Sequence, residues 1–167
     1  YKRQVVTDRT YTFCGTPEFI APEIISNRGH NQAVDWWAFG ILVYNMMVGK
    51  TPFLPEDRVM SDRNAFQHEY DLIYAIYERA MRRSDHKLVF PMTMLPPSRD
   101  LISRLLEVEQ DKRLGQMESD VMDHAFFKPW GCGLIEGIEF KRLHKKRYAA
   151  PFVPATKVWD VQSLRVD

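Results

Sequence analysis

Between Val34 and Val48 the chain has 12 apolar residues out of 15, with no polar stripe along the run. Two explanations compete for such a segment. A bilayer span needs roughly 20 apolar residues, and this run is shorter and contains Asp35 and Asn45. A helix of about four turns that is apolar on every side suits the axis of a water-soluble fold. The run stops at Gly49. The rest of the chain therefore has to supply helices that wrap this axis.

It has the right patterns to do so. Leu72, Ile73, Ile76, Tyr77 and Ala80 recur on one face of a helix predicted over 70–83. Pro96 and Pro97 precede Ser98, the expected N-cap of a helix whose stripe is Leu101, Ile102, Leu105 and Leu106. A further short helix is expected over 119–127. Residues 1–33 show no sustained period and read as an ordered loop with a short helix over 21–26. The polar stretch 51–69, broken by Pro52 and Pro55, reads as a long surface loop. From Gly131 the chain is irregular and basic, punctuated by Pro151 and Pro154. Strand signal is almost absent, so the expected class is mainly α.

Composition narrows the function. With 23 Lys and Arg against 22 Asp and Glu, the chain as a whole has no field that argues for nucleic acid or an anionic membrane. Four Trp, seven Tyr and ten Phe exclude disorder. Cys14 and Cys132 are the only cysteines, too few for a disulfide framework, and they fit a reducing, cytoplasmic setting. Cys14 reads by default as a small core thiol. Tyr1-Lys2-Arg3-Gln4 has no apolar core behind it and is no secretory signal. The five histidines are scattered and none pairs with a cysteine at metal-ligand spacing, so no metal site is expected.

One segment is far more specific. Thr10-Tyr11-Thr12-Phe13-Cys14-Gly15-Thr16-Pro17-Glu18-Phe19-Ile20-Ala21-Pro22-Glu23 resembles the activation segment of protein kinases, ending in Ala-Pro-Glu. Asp35-Trp36-Trp37-Ala38-Phe39-Gly40 is similar to the start of the central helix of the kinase C-lobe, and Thr51-Pro52-Phe53 follows as it should. Asp111-Lys112-Arg113-Leu114-Gly115, His124-Ala125-Phe126-Phe127 and Ala150-Pro151-Phe152-Val153-Pro154 continue the match in order. The last of these resembles the tail entry of the AGC group, which includes the cyclic-nucleotide-dependent kinases, protein kinase C and S6-type kinases.

The resemblance implies a kinase-like C-terminal lobe around the central helix 34–48. It divides the chain into an activation segment and substrate-pocket loop (1–33), a helical core (34–130) and a lobe end with tail entry (131–167). No Gly-rich loop, strand lysine, His-Arg-Asp or Asp-Phe-Gly occurs in the sequence, and those elements hold ATP, magnesium and the catalytic base. The chain is expected to begin shortly after Asp-Phe-Gly, with the N-lobe absent and no ATP, metal or other cofactor bound by these residues alone. ATP and Mg²⁺ are the implied cofactors of an intact kinase. Its implied partners are a protein or peptide substrate, an upstream activating kinase and a regulatory subunit, with no nucleic acid and no membrane span.

The resemblance also implies roles. Thr12 is the regulatory phosphorylation site, with Thr10 the weaker candidate, and Lys2 is a phosphate-binding cation. Thr16 supports the absent catalytic aspartate and lysine. Phe13, Pro17 and Ile20 line the pocket for the substrate residue after the phosphoacceptor, and Glu18 attracts a basic residue further upstream. Glu23 and Arg113 form a buried structural ion pair, and Asp35 accepts backbone N–H groups from the catalytic loop. Asn45 stands where the cAMP-dependent pattern has a glutamate that reads a substrate arginine, and Phe19 where it has a tyrosine bonded to that glutamate.

Lys141-Arg142-Leu143-His144-Lys145-Lys146-Arg147 carries five formal cations in seven residues. Read as a nucleic-acid or localisation signal it lacks interleaved aromatics, and in the family this stretch wraps the lobe, so a solvated surface run is expected. Two rivals to the kinase reading stay open. One is a non-catalytic, kinase-derived binding module; the other is a basic nucleic-acid binder using 141–147.

Overall fold

The computed structural model of the chain describes residues 9–55, 65–82, 88–115, 118–131 and 137–149. Six α-helices occur among them: α1 (Pro22–Ile25), α2 (Ala33–Val48), α3 (Ala65–Met81), α4 (Pro96–Leu105), α5 (Glu118–Met122) and α6 (Phe140–His144). Short 3₁₀ turns cover Pro17–Phe19 and Ala125–Phe127. The described residues hold no strand beyond one isolated antiparallel bridge, Thr10 to His30.

The apolar run is α2, the axis of the fold. Asn31 Oδ1 accepts the Ala33 N–H at 2.8 Å and starts it. Gly49 stops it in the left-handed region (φ 85°), its N–H returning to Asn45 O at 2.8 Å. The chief neighbour of α2 is α4. Gly40 permits this crossing, because a Cβ there would stand 2.9 Å from Leu105 Cβ. Trp37, Ile41, Tyr44, Ile102 and Leu106 share one core cluster with Phe53 and Ile76. Leu101, Leu105, Val121, Phe126 and Phe127 form a second. Phe127 lies edge-on to both Phe126 and Phe140.

The central helix is not covered all round. Leu42, Met46 and Met47 are exposed, Met46 at 67%, because no described residue packs over that stripe. Three boundaries also differ from expectation. The loop expected over 51–69 gives way to helix at Ala65, since Ala65-Phe66-Gln67-His68-Glu69 contains no breaker and extends α3. Helix α4 starts at Pro96, with Leu95 rather than Ser98 at its N-cap. The two prolines take the first positions, where a missing N–H costs nothing, and Ser98 is buried one step further in. The helix expected over 119–127 breaks at His124, whose extended backbone frees Nδ1 to accept the Phe126 N–H at 3.1 Å. Its Nε2 then carries the proton toward Asp100 Oδ2 at 2.9 Å. Lys2, Cys132 and the tail from Ala150 lie outside the described residues.

Tyr44 gives the fold an alkaline sensitivity. Its hydroxyl donates to Val89 O at 2.7 Å, and burial pushes its pKa above the ordinary tyrosine value against an opposing pull from Lys50. The folded state therefore keeps this proton at a pH where the unfolded chain has lost it, so the contribution is intact below about pH 10 and declines above it. Tyr44→Phe is expected to cost about 0.5–1.5 kcal/mol at neutral pH. In denaturant titrations across pH, the gap between the two proteins should narrow as pH rises beyond the tyrosine range. A gap of constant size would show that the hydroxyl does not titrate differently on folding.

Candidate functional site

Glu23 in α1 and Arg113, which follows α4, are 90 residues apart in sequence and meet in the interior. Arg113 Nη1 lies 2.7 Å from Glu23 Oε1 and Nη2 lies 3.0 Å from Oε2, a two-pronged pair. The Arg113 side chain is fully buried. Its remaining N–H groups are all used: Nη1 donates to Ala33 O, Nη2 to Val108 O and Nε to Glu107 O. A guanidinium has five N–H donors, so every one has an acceptor here. The Trp37 ring closes one face, with its centroid 5.0 Å from Cζ. A single cation thus ties α1, the start of α2 and the loop after α4 into one joint.

The loop carried by that joint is held at both ends and open in the middle. Upstream, Thr10 and His30 exchange two backbone hydrogen bonds of 2.9 Å, and Thr10 Oγ1 sits 3.1 Å from His30 Nε2. Downstream, Pro17 fixes a 3₁₀ turn closed by Phe19 N–H to Thr16 O at 2.9 Å. Gly15 joins the halves at φ 128°, a region open to glycine, and a Cβ would press to 3.3 Å from Ile20 Cγ1. Thr51 Oγ1 donates to Glu18 Oε2, bracing the turn against the end of α2.

Between these anchors Thr12, Phe13, Cys14 and Thr16 are exposed. Two neighbouring threonines therefore differ sharply: Thr10 is engaged in the bridge, while Thr12 is exposed. Pro17 and Glu18 are half-buried, and Asn45 is half-buried near the end of α2. Asp35 is exposed in the first turn of α2, and its carboxylate has no partner among the described residues.

Ile20 is only 4% exposed and forms the floor beneath Gly15. One expectation needs correction. Cys14 is no core thiol; the residues around it follow the open loop and leave it exposed. Sequence reasoning missed His30 and Thr51 as anchors and Trp37 as the lid on Arg113. Thr51 lay in a recognised block, but His30 pairs across 20 residues with nothing in the sequence to announce it.

Residues 2–127 match the family profile described as protein kinase domain. The chain is 43% identical over 124 residues to a Caenorhabditis elegans protein named cAMP-dependent protein kinase, catalytic subunit-like, covering 72% of this chain and 27% of that one. It is 37% identical over 152 residues to the cAMP-dependent protein kinase catalytic subunit of Dictyostelium discoideum, covering 89% of this chain and 19% of the relative. It is also 34% identical over 151 residues to a RAC family serine/threonine-protein kinase homolog of the same organism, covering 90% and 28%. The chain thus spans about a fifth to a third of the length of these relatives.

Proposed function

The chain belongs to the protein kinase family, with its relatives in the AGC group, and on that premise we propose that the whole protein transfers the γ-phosphoryl group of ATP to protein serine or threonine. It is a cytoplasmic kinase of the cAMP-dependent type, and this chain forms its substrate platform and regulatory segment. The observation that carries the reading is the open Thr12–Thr16 loop, pinned at Thr10–His30 and braced by the buried Glu23–Arg113 joint.

That geometry supports the proposed roles. Phosphate on Thr12 adds about −1.5 to −2 charges and three acceptor oxygens to an exposed loop, which orders it against cations such as Lys2. The Thr16 hydroxyl, at the mouth of the Pro17 turn, can accept from one charged group and donate to another, holding a catalytic base in line with the substrate hydroxyl. Phe13 and Pro17 offer an apolar surface to the residue after the phosphoacceptor. Glu23, Arg113 and Asp35 position this apparatus and touch no reacting atom. A protein substrate, an upstream kinase acting on Thr12 and a regulatory subunit complete the proposal.

The residues of this chain do not fit ATP or Mg²⁺. Its sequence has no phosphate-cradling loop, and the described residues contain no cluster of three His, Cys, Asp or Glu. In the proposed kinase, ATP and Mg²⁺ are held by residues other than these.

The test is phosphate transfer by the whole protein from Mg·ATP to serine, threonine and tyrosine peptides. Transfer to serine and threonine alone is expected, falling on dephosphorylation of Thr12 or in Thr12→Ala, and nearly lost in Thr16→Ala with substrate binding retained. A folded protein that binds peptides but transfers nothing, whatever the state of Thr12, would replace the enzyme with a binding module.

A further inference from the structure

The run 141–147 stands apart from the rest of the charge distribution. It carries five cations and no acid, whereas the remaining chain has 18 cationic side chains against all 22 acidic ones. A nearly neutral protein thus concentrates five of its 23 cations in α6 and the turn after it. Lys141, Lys145, Lys146 and Arg147 are exposed, and their side chains have no hydrogen-bond or ion-pair partner among the described residues. Lys146 adopts a left-handed backbone (φ 53°), and Arg147 N–H returns to Arg142 O at 2.9 Å. The run therefore curls back on itself, gathering its cations into a compact patch instead of a line along an extended strand.

The neighbouring rings say which polyanion suits the patch. Phe140 is packed edge-on to Phe127 at 5.0 Å. Tyr148 is covered by the Arg142 guanidinium at 4.8 Å, and its hydroxyl accepts the Glu139 N–H. Neither ring bordering the run is free to stack a base, which single-stranded nucleic acid requires. The exposed group beside the cations is apolar instead. Leu143 is half-exposed within the run, between Arg142 and His144. Basic side chains around an exposed Leu on a short helix and the turn after it fit the headgroup layer of a membrane, where cations meet anionic lipid and an apolar group enters the acyl boundary.

We propose that the α6 surface, Lys141, Lys145, Lys146 and Arg147 around Leu143, docks the protein onto the anionic leaflet of a lipid bilayer. This attachment is peripheral: no helix among the described residues is long and apolar enough to cross a membrane. It is independent of the phosphoryl-transfer reading, since the patch shares no residue with the Thr12–Thr16 loop.

Co-sedimentation of the whole protein with vesicles tests it, using phosphatidylcholine alone and phosphatidylcholine with roughly 30% phosphatidylserine. Binding is expected only to the anionic vesicles, with a steep fall between about 0.05 and 0.5 M salt. Each cation near the surface is worth about fivefold in partitioning, so Lys141→Gln, Lys145→Gln and Lys146→Asn together should weaken binding about a hundredfold. Asn suits the left-handed backbone at position 146, so the variant should fold. Leu143→Glu, which places an acid among the cations, should also abolish binding. Equal binding to neutral vesicles, full retention in the triple variant, or tighter binding to a single-stranded oligonucleotide at matched salt would each overturn the proposal.

Discussion

Arg113→Met should destabilise the protein by about 3–5 kcal/mol, a large share of the stability of an ordinary domain. The side chain is fully buried, and methionine replaces only its stem, so the loss comes from the missing guanidinium and the partners it leaves behind. Glu23 keeps a buried carboxylate with no cation, and the carbonyls of Ala33, Glu107 and Val108 lose their donor. Arg113→Lys should recover little: an ammonium has three donors on one atom and cannot span both Glu23 oxygens and three carbonyls. Glu23→Gln should cost a similar amount by stranding the guanidinium. The double variant should lose clearly less than the sum, with a coupling of up to about 3 kcal/mol, since neither charge is then left unpaired. Urea titration of the whole protein by tryptophan fluorescence decides, helped by Trp37 lying against the guanidinium. Additive losses would mean that the pair does not act as one joint.

The joint shows what could be read in advance. Glu23 and Arg113 each lay in an ordered block, so their meeting followed from resemblance, yet neither the three carbonyls nor the Trp37 lid had any sequence signal. Backbone acceptors are carried by every residue, and which ones converge is decided by tertiary packing. The helical axis was legible for a simpler reason. A mostly apolar run closed by Gly49 has few alternatives, and its termini came within a residue of expectation. Its exposed stripe was not legible, because apolar character shows what a segment prefers and not what covers it. Helix starts were least secure. Pro96-Pro97-Ser98 offered two start signals in three residues, and the prolines won because their fixed φ suits the first turn. In the candidate site, the motif singled out Thr12, whose side chain is exposed, while the anchors His30 and Thr51 emerged only from three-dimensional contact.

Asn45→Glu should raise the preference of the whole kinase for arginine two residues before the phosphoacceptor by about ten- to hundredfold. A hydrogen bond to a charged group is worth about 1.5–3 kcal/mol, and 1.4 kcal/mol is a factor of ten. Asn45 can accept only through one neutral amide oxygen, so the unaltered protein should show a weak arginine preference there. Phe19 fits this state: its ring packs against the main core cluster, where a tyrosine hydroxyl without a carboxylate partner would cost about 1–3 kcal/mol. Phe19→Tyr alone should therefore destabilise without changing selectivity, whereas with Asn45→Glu it should cost less and sharpen the preference further. Glu18 is not expected to replace the missing acid, because Thr51 Oγ1 donates to one of its oxygens and turns it toward the end of α2. Thr51→Val should loosen that brace and shift selectivity for basic residues at a more distant upstream position. Ratios of kcat/KM for arginine and alanine peptides, measured position by position, separate the two acids. An unaltered protein that already demands arginine at the nearer position, with Asn45→Glu changing little, would mean that a carboxylate other than the one missing at position 45 reads the substrate.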